Sequence, residues 1–403
     1  MSKLSERINN LAESETIKMS RICREMQAQG IDIINLSLGE PDFPTPIHIR
    51  EAGKQAIDKG YSHYPPISGY LDVRQAISDK FMRENGLDYK PNQIVISTGA
   101  KQSIANVVLS LLNPGEEVVL PVPYWVSYVE IAKLAEGKPV FIETTISTDF
   151  KITSTQLRAA ISPKTKLFIF SSPCNPSGSV YSKEELQALA EVIIEFPDLY
   201  IVSDEIYEHI NFIGNHESIA QFDFIKERVV VVNGVSKAFA MTGWRIGYIG
   251  APEWIAKACD KMQGQFTSAA CSIAQRAAMA ALNSDLSPTI LMRDEFKRRR
   301  DLVLSLMKTI PGLKLNEPKG AFYVFPDVSH YFGMTDGKIT ITNAHELCMY
   351  LLNTAHVSIV SGEAFGDGNC IRLSYATSQE ILIEAIRRIK EALGKLNKFK
   401  ERV

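Results

Sequence analysis

Apolar and polar positions change period repeatedly along this chain, and the changes mark its elements. Residues 3–29 carry apolar positions at helical spacing and stop at Gly30, and Ile31–Leu36 follows as an apolar strand. The next stretch, LSLGEPDFPTP, holds Gly39, Pro41, Pro44 and Pro46, which leave a stiff connector without regular structure. Helices predicted over 47–59 and 70–85 end at Gly60 and Gly86, and the turn-rich loop YSHYPPISGY between them carries Tyr61, Tyr64 and Tyr70. The strand Gln93–Ser97 runs into Thr98-Gly99-Ala100-Lys101, from which a helix leaves with Ile104, Val107, Val108, Leu111 and Leu112 on its apolar face.

Short runs rich in β-branched residues then recur: Glu117–Leu120, Lys138–Glu143, Lys166–Phe170, Leu199–Val202 and Val229–Val232. Helical segments separate several of them, one over Ser154–Ile161 and one opened by a capping box at Ser182 and Glu185. Strands alternating with helices make a mostly parallel sheet, and Arg245–Ile249 reads as a return strand. Helices follow to about Asn283, and Met292–Leu306 reads as a long one whose run Lys297-Arg298-Arg299-Arg300 is expected on a solvated face. Past Pro311-Gly312 the pattern turns strand-rich at Gly320–Phe325, Ser358–Val360 and Cys370–Tyr375. In the last of these Ile371, Leu373 and Tyr375 alternate against Arg372, which points away from the apolar face. A capping box at Thr377 and Glu380 starts a final helix burying Leu382, Ile386, Ile389 and Leu393.

The expected architecture is therefore α/β in two domains. An arm and part of a small domain occupy 1–46, a large domain with a mostly parallel sheet flanked by helices 47–290, and a smaller α+β domain 291–403. Length alone, at 403 residues, also exceeds one typical domain.

Composition removes several function classes. A net charge of -2 gives no electrostatic case for nucleic acid or an anionic membrane. The first residues, MSKLSERINNLAESE, lack an apolar signal core, so a cytoplasmic setting is expected. Six cysteines without a C-x-x-C pair and seven dispersed histidines argue against a disulfide framework or a metal centre.

The chemistry sits at one edge. Ligands of such sheets lie beyond the carboxyl ends of the strands, where Asn175, Asp204, Tyr207, Trp125, Gly99 to Lys101 and Lys237 all fall. Lys237 follows the Asn233-Gly234 turn among apolar Ala238, Phe239, Ala240 and Met241, surroundings that lower an amine's pKa and make it nucleophilic toward a carbonyl. Taken singly, Lys237 is a loop lysine and Trp125 a core aromatic; the convergence is what carries the reading. Gly99, Ala100 and Lys101 at a helix start, with Arg245, suit a phosphate, but match neither the nucleoside triphosphate nor the dinucleotide motif. A phosphorylated pyridine aldehyde would satisfy the set. Lys237 would hold it as an imine, Asp204 would face the ring nitrogen, Tyr207 and Asn175 the ring oxygen, and Trp125 the ring face. Arg372 would clamp a substrate carboxylate.

Nearly the whole chain resembles the class I pyridoxal-phosphate-dependent aminotransferases, closest to the bacterial aspartate aminotransferase branch. The stretches LSLGEPDF, YSHYPPISG, STGAKQ, PYWVSY, SPCNPSG, VSDEIY, VSKAFAMTGWRIG, KGAFYVF and IRLSYA carry the resemblance. It implies the fold type I architecture of pyridoxal-phosphate-dependent transferases, and a homodimer with shared active sites in which Tyr64 reaches the partner's cofactor phosphate. It implies that Lys237 also moves the proton between Cα and the cofactor carbon. Gly39 and Arg372 match the family's substrate-carboxylate contacts, Asn175 and Trp125 its cofactor contacts. The expected reaction moves the amino group of an L-amino acid, aspartate or glutamate foremost, to a 2-oxo acid such as 2-oxoglutarate in a ping-pong cycle. Aromatic, alanine or prephenate aminotransfer, or a lyase of the same fold, are the alternatives. Two departures stand out: Gly234 replaces a phosphate-binding serine of many relatives, and Leu109 stands near the position where some aspartate-using relatives have a lysine. Ser14 and Thr16 of the arm remain to face the substrate side chain.

Overall fold

The computed structural model describes residues 3–398. Its centre is a seven-stranded sheet in the order Ile94–Ser97, Gly247–Gly250, Val229–Gly234, Tyr200–Asp204, Thr165–Ser171, Glu117–Pro121 and Lys138–Ile142. Only Gly247–Gly250 runs against the rest.

Both faces of this sheet are buried, which is why its strands read as unbroken apolar runs. Val119, Phe168, Ile201, Val229 and Val231 face one core with the helices Leu71–Lys80, Lys183–Ile193 and Ser272–Leu282. Val118, Leu167, Val202, Val230 and Val232 face the other, with Ala100–Leu111, Ser127–Leu134 and Glu253–Phe266. A second core joins Leu36 to Phe296, Phe322, Leu347, Leu373 and Ile386. Its frame is a three-stranded antiparallel sheet, Val360–Ser361, Ile371–Ser374 and Tyr323–Val324, under the helices Ser287–Met307, Ala344–Ala355 and Gln379–Leu393. Among the described residues no helix is long and apolar enough to cross a membrane.

Several expectations are corrected. The helix over 3–29 is two, Glu6–Asn9 and Glu15–Ala28, with Leu11 to Ser14 outside any helix. Of Ile31–Leu36, only Ile34–Asn35 pairs, parallel to Val357–Ser358. The helix Ser127–Leu134 was not predicted. Arg245 does not begin a strand: it has φ 57°, and pairing starts at Gly247. The box at Ser182 is present, with Glu185 N donating to Ser182 Oγ at 3.2 Å and Ser182 N to Glu185 Oε2 at 2.7 Å. The last helix is instead capped by Ser378, which accepts from Ile381 N at 3.4 Å. The basic run is only half solvated. Arg299 is 6% exposed and donates to Asp42 at 2.7 Å and Glu295 at 3.0 Å, and Arg300 donates to the Pro318 carbonyl at 2.8 Å. Asp42 lies in the proline-rich connector, so that ion pair ties the connector to the second core.

Candidate active site

Val229–Gly234 is buried along its whole length and delivers the loop of Lys237 to the carboxyl edge of the sheet. The Lys237 ammonium donates to the Gly39 carbonyl and stands 5.7 Å from the ring centroids of both Tyr207 and Phe322. Loss of water at this position lowers its pKa to about 8; Glu40 opposes the shift, and Arg372 and Arg245 add to it. Near neutrality a usable fraction is free amine, which is what attack on a carbonyl requires.

Asp204 ends the neighbouring strand. Its Oδ2 accepts from the Tyr128 hydroxyl at 2.6 Å and its Oδ1 from the Ile206 amide at 3.3 Å. Burial raises its pKa to about 6, held back by Tyr128, Ile206 and Lys237 and pushed further by Glu205. Three residues on, the Tyr207 hydroxyl is 2.7 Å from that of Tyr323. Burial, with Tyr323 beside it, drives the Tyr207 phenol well above its ordinary value.

Arg372 enters from the second core. It is 2% exposed, with one nitrogen 3.0 Å from Asn175 Oδ1 and another 2.6 Å from the Ser37 carbonyl. Tyr323 and Phe365 rings lie 4.6 and 4.8 Å from the guanidinium carbon. No carboxylate pairs with it among the described residues, and its Nε has no partner. A buried cation left this way is costly unless an anion arrives. Gly39 admits Tyr323 to this corner, because a Cβ there would lie 2.3 Å from the Tyr323 hydroxyl.

The opposite end suits an anion. Gly99 has φ 84° and precedes the helix Ala100–Leu111, whose first amides have no partner within the helix. A Cβ on Gly99 would stand 2.3 Å from Arg245 Nη2, so glycine lets the guanidinium lie across the helix start. Ser236 and Thr242 complete this end. At Gly234 a Cβ would fall 2.8 Å from the Ile246 carbonyl, so the strand packing there leaves no room for a serine. Trp125 packs edge-on against Tyr128, and the Lys101 ammonium stands 5.1 Å from its ring centroid. Lys237, Asp204, Tyr207, Asn175, Arg372 and Gly39, with Ala100, Lys101, Trp125 and Arg245, wall a cavity of about 320 Å³, which Ser14, Thr16 and Ile17 of the arm also reach and behind which Gly99 stands. Two residues lie elsewhere. Tyr64 is 96% exposed and outside its own chain's cavity, and Leu109 packs against the core beneath the helix.

Residues 31–389 match the family model for aminotransferase class I and II. The chain belongs to that family. A bifunctional aspartate aminotransferase and glutamate/aspartate-prephenate aminotransferase of Petunia hybrida is 47% identical over 97% of this chain and 82% of its own length. An aspartate/prephenate aminotransferase of Nitrosomonas europaea is 45% identical over 97% of this chain and 100% of its own. The crystal structure of the aspartate aminotransferase of Rhizobium meliloti superposes with a TM-score of 0.95 at 41% identity, covering 98% of this chain and 100% of that one. An aspartate aminotransferase of Thermus thermophilus with maleate gives 0.91 at 39% identity over 97% and 100%.

This aminotransferase uses site residues that the sequence pattern did not single out. Tyr128, Tyr323 and Ser37 each touch a residue that it did. The stretches KGAFYVF, PYWVSY and LSLGEPDF contain Tyr323, Tyr128 and Ser37, but the partners of these residues lie in distant segments, and the helix of Tyr128 went unrecognised.

Proposed function

We propose that the chain is a pyridoxal-phosphate-dependent aminotransferase that takes aspartate or glutamate as amino donor and a 2-oxo acid such as 2-oxoglutarate as acceptor, working as a homodimer. The residues present fit the cofactor. Gly99 leaves open the helix start where Arg245 and Ser236 would hold a phosphate, Trp125 offers a ring face, Asp204 a carboxylate and Lys237 an amine. The single observation that carries the reading is Arg372, a buried guanidinium with an orphaned Nε and no carboxylate paired to it among the described residues, lining the same cavity as that anion end. Two unpaired cationic ends match a ligand pair with a phosphate on one member and a carboxylate on the other.

Bound there, the cofactor supplies an electron sink and carries the amino group between the two half-reactions. Lys237 would hold it through Nζ, and the same amine, once free, would be the base that carries the substrate Cα proton. Asp204 would keep a proton on the ring nitrogen, and Tyr128 fixes the carboxylate that would do so. Asn175 and Tyr207 would face the ring oxygen, and Arg372 would orient the α-carboxylate.

For the side chain, Lys101 stands at the wall of the cavity that Ser14 and Thr16 also line, without an acid partner among the described ion pairs. A second carboxylate fits that wall, in keeping with the maleate of the Thermus thermophilus structure. The names of the Petunia and Nitrosomonas relatives support prephenate as a further acceptor. The exposed Tyr64 supports the dimer, in which it would complete the partner's anion end.

A panel of amino donors mixed rapidly with the cofactor-loaded protein tests this. Aspartate and glutamate should each bleach the visible band of the lysine-bound cofactor. No response to any amino acid would sink the reading.

A further inference from the structure

The turn that presents Asp204 and Tyr207 to the cavity presents Glu205 and Glu208 to its rear, where a second group of charges is buried. Glu205 is 1% exposed and accepts from Ser203 Oγ at 2.8 Å, Ser218 Oγ at 2.6 Å and His216 Nε2 at 2.9 Å. Glu208 accepts from the Lys80 ammonium and from Asn85 at 2.9 Å. Glu84 and His209 close the group, 2.8 Å apart. These carboxylates and imidazoles have the spacing of a cation site, but the Lys80 ammonium, in a side chain 1% exposed, already supplies the positive charge.

Resting on the aminotransferase reading, we propose that Glu205 and His216 are positioning residues acting through Asp204: their buried ion pair fixes the turn and sets how readily the Asp204 carboxyl releases its proton. Facing Asp204 from the packed elements are Tyr128, Cys174, Tyr207, Lys237 and, along the chain, Glu205. Facing the pair are Glu208, Lys80 and the buried Tyr89. Glu205 is thus an uncompensated negative neighbour of Asp204 unless His216 is charged. Burial works against that charge, yet Glu205 and Glu208 outweigh burial and Lys80 and raise the His216 pKa. The 2.9 Å contact with Glu205 thus favours the protonated His216.

The test is the carboxyl infrared band of Asp204 in cofactor-free protein, isolated as wild type minus Asp204→Asn and followed against pH. Glu205→Gln keeps an acceptor for Ser203 and Ser218 and, with Glu208 still favouring the charged His216, should lower the midpoint by about one pH unit; His216→Gln should raise it by a similar amount. The double variant Glu205→Gln/His216→Gln should return to near the wild-type midpoint, a compensation that a purely structural role would not give. Single-variant midpoints within about 0.2 unit of wild type would overturn the inference, even if melting temperatures fell. Moved midpoints in a protein that takes up no pyridoxal phosphate would instead sink the cofactor reading and leave this charge coupling standing.

Discussion

The two sides of the turn 204–208 bury similar charges in opposite ways. Behind it, Lys80 meets Glu208 and His216 meets Glu205, each pair closed within the described chain. In front, Arg372 pairs with no acid among the described residues, and the Lys237 ammonium rests on a carbonyl oxygen. Burial would raise the pKa of Glu208, but Lys80, with His209 and His216, holds it far below the carboxylate range, whereas burial, joined by Arg372 and Arg245, lowers that of Lys237 against the opposing pull of Glu40 and Asp204. A closed pair stabilises geometry, while an open charge is a seat for something that arrives from solution. The contrast assigns front and rear to different tasks within a few residues.

Lys237→Ala should break the front most severely. Loss of both the covalent anchor and the proton carrier should cut turnover by at least about 10⁴-fold, with no lysine-linked visible band after addition of pyridoxal phosphate. A variant that kept the band would place the anchor elsewhere.

Arg372→Met sharpens the distinction. The KM of every amino donor should rise by about 10²- to 10³-fold, since a buried charge-assisted clamp is lost. Cofactor-free protein should be as stable as wild type or more so, because an unpaired buried cation has gone. A rise for dicarboxylates alone would move Arg372 to the side-chain end. The rear should answer in reverse. Lys80→Met leaves Glu208 without its counter-ion and should cost about 3–5 kcal/mol in denaturant unfolding. An unchanged unfolding midpoint would mean that the rear charges are not coupled.

How much of this was legible in sequence follows from range. The inner strands announced themselves because each buries both faces, so Val229 to Val232 could hardly be anything else, whereas the edge strand Lys138–Ile142 is partly exposed. The residues at their carboxyl ends were legible for the same reason, and convergence at one edge followed from the alternation of strands and helices. Pairings across distant segments were not. Nothing in the run Lys297 to Arg300 says that Arg299 meets Asp42, 257 positions earlier, so a solvated face was expected. Tyr128 on Asp204 and Tyr323 on Tyr207 are likewise contacts of the folded chain alone. The arm was read as one helix because Leu11 to Ser14 contain neither glycine nor proline to announce the break.

The mildest effect tests the front through pH. An unfolded lysine titrates near 10.5, and Lys237 in the folded chain near 8. Below pH 8 both states hold the proton, so the folded state carries the whole cost of a poorly solvated charge. Between these values the folded protein has released its proton while the unfolded chain has not, so cofactor-free stability should climb as pH rises through that window. Only the free amine attacks the aldehyde, so the rate of cofactor uptake should increase about tenfold per pH unit below 8 and level off above it. A rate that kept climbing to pH 10 would show Lys237 to be as well solvated as a surface lysine. The contrast between an open front and a closed rear would then fail at the residue where it matters most.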